Sequence, residues 1–193
     1  LSYTDKKKRM SMNNSNNKLT TTTLILHWFV GLAFITLIAV GLYMSEYEVK
    51  SLYPIHKSIG TIIFVFIIIR VIYRIKQGWL KPVSVYQSWE IVLSKTIHWV
   101  LLLGTLMFPI SGLMMSAAGG KGIYVFGIEL LAKNYNAAGE MIAINATMAE
   151  LGHEVHEILP WIVIPAIVLH IAGVLKHHLV DKDNTLKRML GKS

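Results

Sequence analysis

Eight histidines are the side chains of this 193-residue chain best suited to chemistry, because imidazole binds metals and moves protons near neutral pH. His156 and His170 are 14 residues apart in an apolar stretch. In a helix, this spacing is a rise of about 21 Å with an angular offset of only about 40°. The two imidazoles therefore leave one helix face at two depths. They are too far apart to share a zinc ion, whose ligands lie about 2 Å from it, but the spacing suits two large cofactors.

Partners for these two histidines must come from other helices at matching depths. The order of depths pairs His27 with His170 and His56 with His156. Bis-histidine ligation inside a helical bundle favours b-type haem. The chain has no cysteine, which excludes covalent c-type haem, Fe–S clusters and Cys-ligated zinc. His153 is the alternative to His156, but it lies 17 residues from His170 and thus about 100° around the helix, so His156 is preferred.

Other histidines at membrane depth leave several roles open. His98 lies at the depth of His27, so it could replace His27 as a ligand, line a quinone pocket or be structural. His177 follows His170 by seven residues and stays on the same face within about 20°, whereas His178 points aside. A basic anchor at the membrane surface is the alternative role for both.

Two arginines on the second apolar span are candidates for contact with haem propionates. Arg70 lies 14 residues after His56, on nearly the same face and at the depth of the other cofactor. Arginine pairs with carboxylates through two parallel hydrogen bonds. We therefore expect Arg70 or Arg74 to hold the propionates of the inner haem, the alternative being that both simply extend to the membrane interface.

Four apolar spans must position these side chains. Hydrophobic residues make up 53% of the chain and charged residues only 16%, against roughly a quarter in soluble domains. A bilayer core about 30 Å thick needs about 20 apolar helical residues, and the sequence predicts an all-α integral membrane four-helix bundle holding two b-type haems. Its parts are a disordered tail at residues 1–23, a cytochrome b domain at 24–178 with helices at 24–44, 56–76, 91–116 and 152–178 and a loop at 117–151, and a C-terminal tail at 179–193.

The charge pattern predicts how this bundle is oriented. The net charge is +8, and 15 of the 19 Lys and Arg residues lie before the first span, around the connection between the second and third spans, or after the fourth. The positive-inside rule places these segments, and hence both termini, in the cytoplasm of a multi-pass protein. The loop at 117–151 is then periplasmic. Nucleic acid is excluded as a partner, because no soluble domain remains to present the basic residues.

These residues resemble the bacterial cytochrome b561 family, di-haem proteins of the inner membrane with four transmembrane helices. The resemblance runs from about residue 23 to residue 188 and depends on an ordered set of motifs, of which the ligand spacing on the fourth span is the most specific. The motifs are Leu26-His27-Trp28, Ile55-His56-Lys57-Ser58-Ile59-Gly60, Arg70 with Arg74, Ile97-His98, Ser111-Gly112-Leu113-Met114-Met115, His156-Glu157, His170, and the segment from His177-His178 to Lys182-Asp183-Asn184-Thr185-Leu186.

The resemblance implies electron transfer through two b haems between a periplasmic donor and membrane quinone, either ubiquinone or menaquinone. The chain looks most like a superoxide oxidase, so a superoxide:quinone oxidoreductase is the expected enzyme. Quinone exchanges protons as it is reduced, and His98 and His177 are the expected proton partners on the inner side. On the outer side, Lys57 and Lys121 are expected to attract an anionic donor.

Two other functions remain open at this point. One is a cytochrome b subunit that anchors a periplasmic dehydrogenase or c-type cytochrome and relays its electrons. The other is a haem-free metal or proton transporter lined by histidines, which would be colourless. The expected partners are the lipid bilayer, quinone and a periplasmic donor, and a second copy of the chain or a partner cytochrome is compatible with either haem-based function.

Overall fold

The computed structural model describes residues 19–78 and 86–192 of the chain. The predicted tail at 1–23 therefore lies outside the described residues up to residue 18. Four long helices dominate the described part: α1 (Thr21–Glu46), α2 (Tyr53–Gln77), α3 (Ser88–Ala118) and α4 (Ala146–Leu179). Each is long and apolar enough to cross a membrane, which confirms the prediction of a helical membrane bundle.

All four helices extend beyond the predicted spans, because polar residues cap several of them outside the apolar stretch. The Thr20 side chain accepts a hydrogen bond from the backbone at the start of α1, and Asn145 does the same for α4. Gln87 and Glu90 form a capping box at the start of α3. Hydropathy marks the part of a helix that crosses the bilayer, whereas these caps mark where the helix begins.

The core of the bundle is narrow, and much of its outer surface is apolar. Leu32 on α1 and Val65 on α2 are 60% and 55% exposed. Apolar side chains of this kind contact lipid tails in a bilayer, so they need no protein partner. Two clusters of buried side chains hold the helices together. The first joins α1, α3 and α4 and consists of Phe34, Ile38, Phe108 and Val163. The second joins α1 and α2 and consists of Val30, Ile63 and Ile67.

The connection between α3 and α4 contains a β-hairpin that was not predicted. Strands β1 (Ile123–Val125) and β2 (Ile128–Leu131) pair antiparallel. At the turn, Phe126 has a φ of 47°, a left-handed conformation that bulky residues rarely adopt. Its N–H donates to Ser58 Oγ on α2 at 2.9 Å, which ties the hairpin to the start of that helix. Strands this short carry too little alternation to be recognised in a sequence.

We call the end of the bundle with the hairpin the loop end, and the opposite end, where α1 begins and α4 ends, the terminal end. At the terminal end, a short helix α5 (Thr185–Met189) lies against α1. Trp28 Nε1 on α1 donates to Met189 O at 2.9 Å. Thr23 on α1 donates to the Gln77 side chain at the end of α2, also at 2.9 Å. These contacts join α1 to the end of α2 and to α5 at the terminal end.

Gly152 marks a close contact between α4 and α3. A Cβ at this position would lie 2.8 Å from Met115 N and 2.9 Å from Ser111 O, and these backbone atoms cannot yield without moving the helix. We expect Gly152→Ala to cost about 1–3 kcal/mol, the range for overpacking, and to lower the thermal unfolding midpoint in detergent. Gly173→Ala on the same helix is the matched control, because its Cβ meets no atom within 4 Å. Equal unfolding midpoints for the two variants would contradict this contact.

Candidate functional site

Two pairs of histidines lie inside the bundle, one toward each end. At the loop end, the ring of His56 on α2 faces that of His156 on α4, with centroids 6.4 Å apart. At the terminal end, His27 on α1 faces His170 on α4 with centroids 6.3 Å apart. One helix, α4, therefore supplies an imidazole to each pair, from positions 14 residues apart.

The separation within both pairs fits one metal ion between two imidazole nitrogens. A metal–nitrogen bond of about 2 Å, with the ring centre about 1.1 Å behind the nitrogen, puts two opposed imidazoles about 6.3 Å apart. The His98 ring is 5.2 Å from that of His170, about 1 Å too short for this arrangement. The pairs therefore fit bis-histidine ligation of haem iron, and the distances favour His27 over His98 as the partner of His170.

Hydrogen bonds fix the orientation of His156. Its Nδ1 lies 3.0 Å from Phe108 O and 3.0 Å from Ser111 Oγ, both on α3. A carbonyl oxygen only accepts, so Nδ1 carries the proton and Nε2 is left for a metal. The Nδ1 atom of His56 is buried without a hydrogen-bond partner in the described part of the chain. The two rings of the loop-end pair thus have unequal surroundings.

A glycine lies beside each ring of the loop-end pair. A Cβ on Gly41 would lie 3.3 Å from Cε1 of His56, and a Cβ on Gly112 would lie 3.3 Å from Cε1 of His156. The other ring atom near each Cβ is Nδ1, at 4.0 Å in His56 and 3.5 Å in His156, so a side chain at either position would crowd the Nδ1 edge of the ring. The two glycines therefore leave room for the two imidazoles beside α1 and α3.

Positive charge surrounds the terminal-end pair. Nη2 of Arg70 lies 3.3 Å from Nδ1 of His27, and the charge of Arg74 also acts on this ring. Guanidinium groups hold carboxylates well, so the two arginines suit the propionates of a haem at this end. Nδ1 of the nearby His98 lies 2.6 Å from Ser94 O on its own helix, so this ring donates to the backbone.

His177 lies outside both pairs, in a polar network at the terminal end. Its Nδ1 is 2.8 Å from an Asp181 oxygen and 3.4 Å from an Asp183 oxygen, to which Tyr86 donates at 2.5 Å. The hydrogen bond from Lys176 lowers the pKa of Asp181 below its usual value. Burial raises the pKa of Asp183, but the hydrogen bond from Tyr86 and other hydrogen bonds outweigh it and lower the pKa. Both carboxylates are therefore ionised at neutral pH and hold the His177 ring.

Three lysines cluster at the loop end. Lys57 lies within electrostatic range of Lys121 and of Lys133, which was not predicted as a site residue. The chain returns through the hairpin, so Lys133 comes near Lys121 although they are 12 residues apart. Nζ of Lys133 lies 5.8 Å from the centre of the Tyr124 ring. A 2.6 Å hydrogen bond to Glu129 raises the pKa of Tyr124, so the phenol is neutral at physiological pH.

His153, the alternative ligand on α4, lies elsewhere. Its side chain is 62% exposed and its Nδ1 is 3.5 Å from a Glu157 oxygen. His156, and not His153, is the α4 residue whose ring faces His56. The helical phase that separates residues 153 and 170 accounts for this difference.

Known proteins resemble this chain over most of its length. The family model described as prokaryotic cytochrome b561 matches residues 18–192. The chain is 33% identical over 178 residues to cytochrome b561 homolog 2 of Escherichia coli strain K12, which covers 86% of this chain and 88% of that protein. It is 27% identical over 176 residues to a Yersinia pestis protein named probable superoxide oxidase CybB, which covers 84% of this chain and 93% of that protein.

Proposed function

Because this chain belongs to the prokaryotic cytochrome b561 family, we propose that it is a di-haem oxidoreductase that passes electrons from superoxide to membrane quinone. The family implies a membrane electron-transfer protein with b-type haem. When bound, haem supplies an iron that takes up and releases one electron at a time. The reaction balances when two superoxide anions each lose an electron to give O₂ and one quinone gains two electrons and two protons.

The observation that carries this proposal is the geometry of the two imidazole pairs. His27 with His170, and His56 with His156, have centroids 6.3 and 6.4 Å apart, and each pair would hold one haem b. The two arginines of α2 would hold the propionates at the terminal end. The α4 ligands lie about 21 Å apart along the helix, so the two sites reach from one side of a 30 Å bilayer core toward the other.

The terminal end is proposed to face the cytoplasm, and the loop end the periplasm, of a bacterial inner membrane. In the sequence, 15 of the 19 basic residues lie before α1, around the connection between α2 and α3, or around the end of α4 and after it, and the positive-inside rule keeps such segments in the cytoplasm. The imidazole pair of His56 and His156 then lies on the periplasmic side, where an external donor arrives. The pair of His27 and His170 lies on the cytoplasmic side.

At the loop end, the lysine cluster supports an anionic donor. Lys57 directly follows the proposed ligand His56, and Lys121 and Lys133 lie within electrostatic range of it. A local positive potential raises both the concentration and the association rate of a small anion such as superoxide. The Yersinia pestis relative is named a probable superoxide oxidase, which supports the same donor.

At the terminal end, His98 and His177 are proposed to exchange protons with quinone. The His98 ring lies 5.2 Å from that of His170, so a quinone beside it would be next to a haem ligand. The His177 ring is held by Asp181 and Asp183 at the end of the bundle, between the membrane and the cytoplasm. Histidine moves protons near neutral pH, and either ubiquinone or menaquinone fits this chemistry.

Neutralising the lysine cluster is expected to slow the reduction of the protein by superoxide. In the triple variant Lys57→Gln, Lys121→Gln, Lys133→Gln, we expect about a tenfold lower rate at low salt, because steering of the anion is lost. Salt screens charges beyond about 10 Å at 0.1 M, so the difference should shrink as ionic strength rises. Stopped-flow absorbance of the haem bands at two salt concentrations measures both effects.

Lys50→Gln is the matched control for this experiment. Lys50 lies at the same end of the bundle, in the short turn before α2, and is not one of the three lysines of the cluster. Its loss should leave the rate within about twofold of wild type, as for a distant screened charge. If superoxide reduced the triple variant as fast as the wild type at low salt, the proposal that these lysines attract the donor would be contradicted.

The second candidate function is that of a cytochrome b subunit serving a periplasmic dehydrogenase or c-type cytochrome. Phe126, Ile128 and Leu130 on the hairpin are 63%, 66% and 60% exposed, and an apolar surface beyond the helices suits a bound partner. Purification in mild detergent separates the two functions. A haem- or metal-bearing protein in fixed ratio supports the subunit, whereas an isolated chain that reduces quinone with superoxide supports the oxidase.

A further inference from the structure

A hydrogen-bonded unit on α3 contacts one of the proposed haem ligands. We propose that Ser111, together with the Phe108 carbonyl, is a positioning residue that lowers the redox potential of the loop-end haem by polarising His156. This inference rests on the proposed function, because it assumes that His156 binds haem iron. It adds a residue that controls the ligand without touching the iron.

Three contacts of equal length define the unit. His156 Nδ1 lies 3.0 Å from Phe108 O and 3.0 Å from Ser111 Oγ, and Ser111 Oγ lies 3.0 Å from Phe108 O. The serine hydroxyl donates to the carbonyl, which leaves its oxygen lone pairs to accept from His156. The imidazole N–H is thus shared between two acceptors. Ser111 is 0% exposed, so these bonds form in a low-dielectric interior, where they are strong.

Two other proposed ligands have different surroundings. Nδ1 of His56, the proposed second ligand of the same iron, is buried without a hydrogen-bond partner among the residues described. Nδ1 of His27 faces Arg70 Nη2 at 3.3 Å, and a guanidinium group can only donate. Of these three ligands, His156 is therefore the one whose Nδ1 meets oxygen acceptors.

Hydrogen-bond acceptors at the outer N–H of a metal-bound imidazole change the redox properties of the metal. They draw the proton from the ring and raise the basicity of the nitrogen that ligates the metal. A more basic ligand stabilises the ferric state, so the redox potential falls. The Ser111 contact thus makes electron release from the loop end easier, which favours onward transfer toward the terminal end, where quinone is proposed to be reduced.

Thr105, on the same helix, is the matched comparison for Ser111. Its hydroxyl donates to Leu102 O at 2.9 Å, the same bond to the carbonyl three residues back that Ser111 makes to Phe108. Thr105 is also buried, at 7% exposed. If Ser111 only satisfied its own hydroxyl, loss of either hydroxyl should have the same effect on the haem.

A redox titration of purified holoprotein tests the proposal with Ser111→Cys, Ser111→Ala and Thr105→Ala. A thiol is a weak acceptor and a methyl group is none. We expect one midpoint potential to rise in the order Ser, Cys, Ala while the other stays constant, and the low-spin electron paramagnetic resonance signal of the same haem to shift in parallel. Thr105→Ala should leave both potentials unchanged.

Unchanged potentials in Ser111→Ala, or an equal shift in Thr105→Ala, would overturn the proposal. If Ser111→Ala loses the loop-end haem, Ser111→Cys decides: a raised potential supports the proposal and a wild-type potential overturns it. A wild-type protein without two haems would instead contradict the proposed function, so the two failures are distinguishable.

Discussion

Replacing His156 by alanine is expected to remove one of the two haems from the purified protein and to leave the other in place. The loop-end pair, with centroids 6.4 Å apart, would lose one of its two imidazoles. The other pair lies about 21 Å away along α4 and should keep both of its ligands. The ratio of haem b to polypeptide, measured as pyridine haemochrome, should therefore fall from two to one.

His153→Ala is the matched control for this substitution. It removes an imidazole three residues away on the same helix, from a side chain that is 62% exposed. Both haems should remain. Loss of haem from His153→Ala, with retention in His156→Ala, would move the ligand to His153 and contradict the pairing of His56 with His156.

Separate replacement of His27 and His98 is expected to split haem binding from quinone reduction. His27→Ala should remove the terminal-end haem, because this ring and that of His170 have the 6.3 Å separation that suits an iron between them. His98→Ala should retain both haems, since its ring is 5.2 Å from that of His170. It should slow quinone reduction by about a hundredfold, the scale of general acid–base catalysis.

Haem content and the rate of quinol formation, measured on the same preparations, separate these two roles. His177→Ala offers a second variant of the quinone side, because its ring binds Asp181 and Asp183 and neither imidazole pair includes it. It too should slow quinone reduction at full haem content. If His98→Ala lost haem while His27→Ala kept both haems, His98 would be the haem ligand and the roles assigned to the two histidines would be wrong.

Helical periodicity and the thickness of the bilayer are enough to predict the helices and to suggest the histidine pairs. Residues 156 and 170 are nearly four helical turns apart, so their rings leave the same face at two depths. An apolar span also fixes the depth of each residue within it, which allows His27 and His56 to be matched with His170 and His156. These predictions depend only on distances along a helix, and the sequence contains those directly.

Rotation of a helix about its own axis cannot be obtained from depth. His27 and His98 lie at similar depths, so the sequence leaves both as candidate ligands, and only the distances from the His170 ring separate them. The contact of Ser111 with His156 has the same cause, because it joins two helices across 45 residues of sequence. A buried serine that contacts a proposed ligand also has no sequence pattern that distinguishes it from a serine that only packs in the core.

The contacts made by the connections between helices cannot be predicted from the sequence, for a different reason. Lys133 comes near Lys57 only because the hairpin returns the chain, and two strands of three and four residues have little alternation to reveal them. Asp181 and Asp183 lie in a polar segment after α4, whose sequence gives the charges but does not predict the conformation of the backbone. Their contacts with His177 depend on how the chain turns after α4.

The haem content of the wild-type protein tests whether each of the two imidazole pairs holds a haem. Pyridine haemochrome absorbance, divided by the polypeptide concentration of the same purified sample, counts haem b in each chain. Two imidazole pairs, each with the separation that suits one iron, predict two haems b per chain. A ratio of one or zero would contradict the assignment of one haem to each pair.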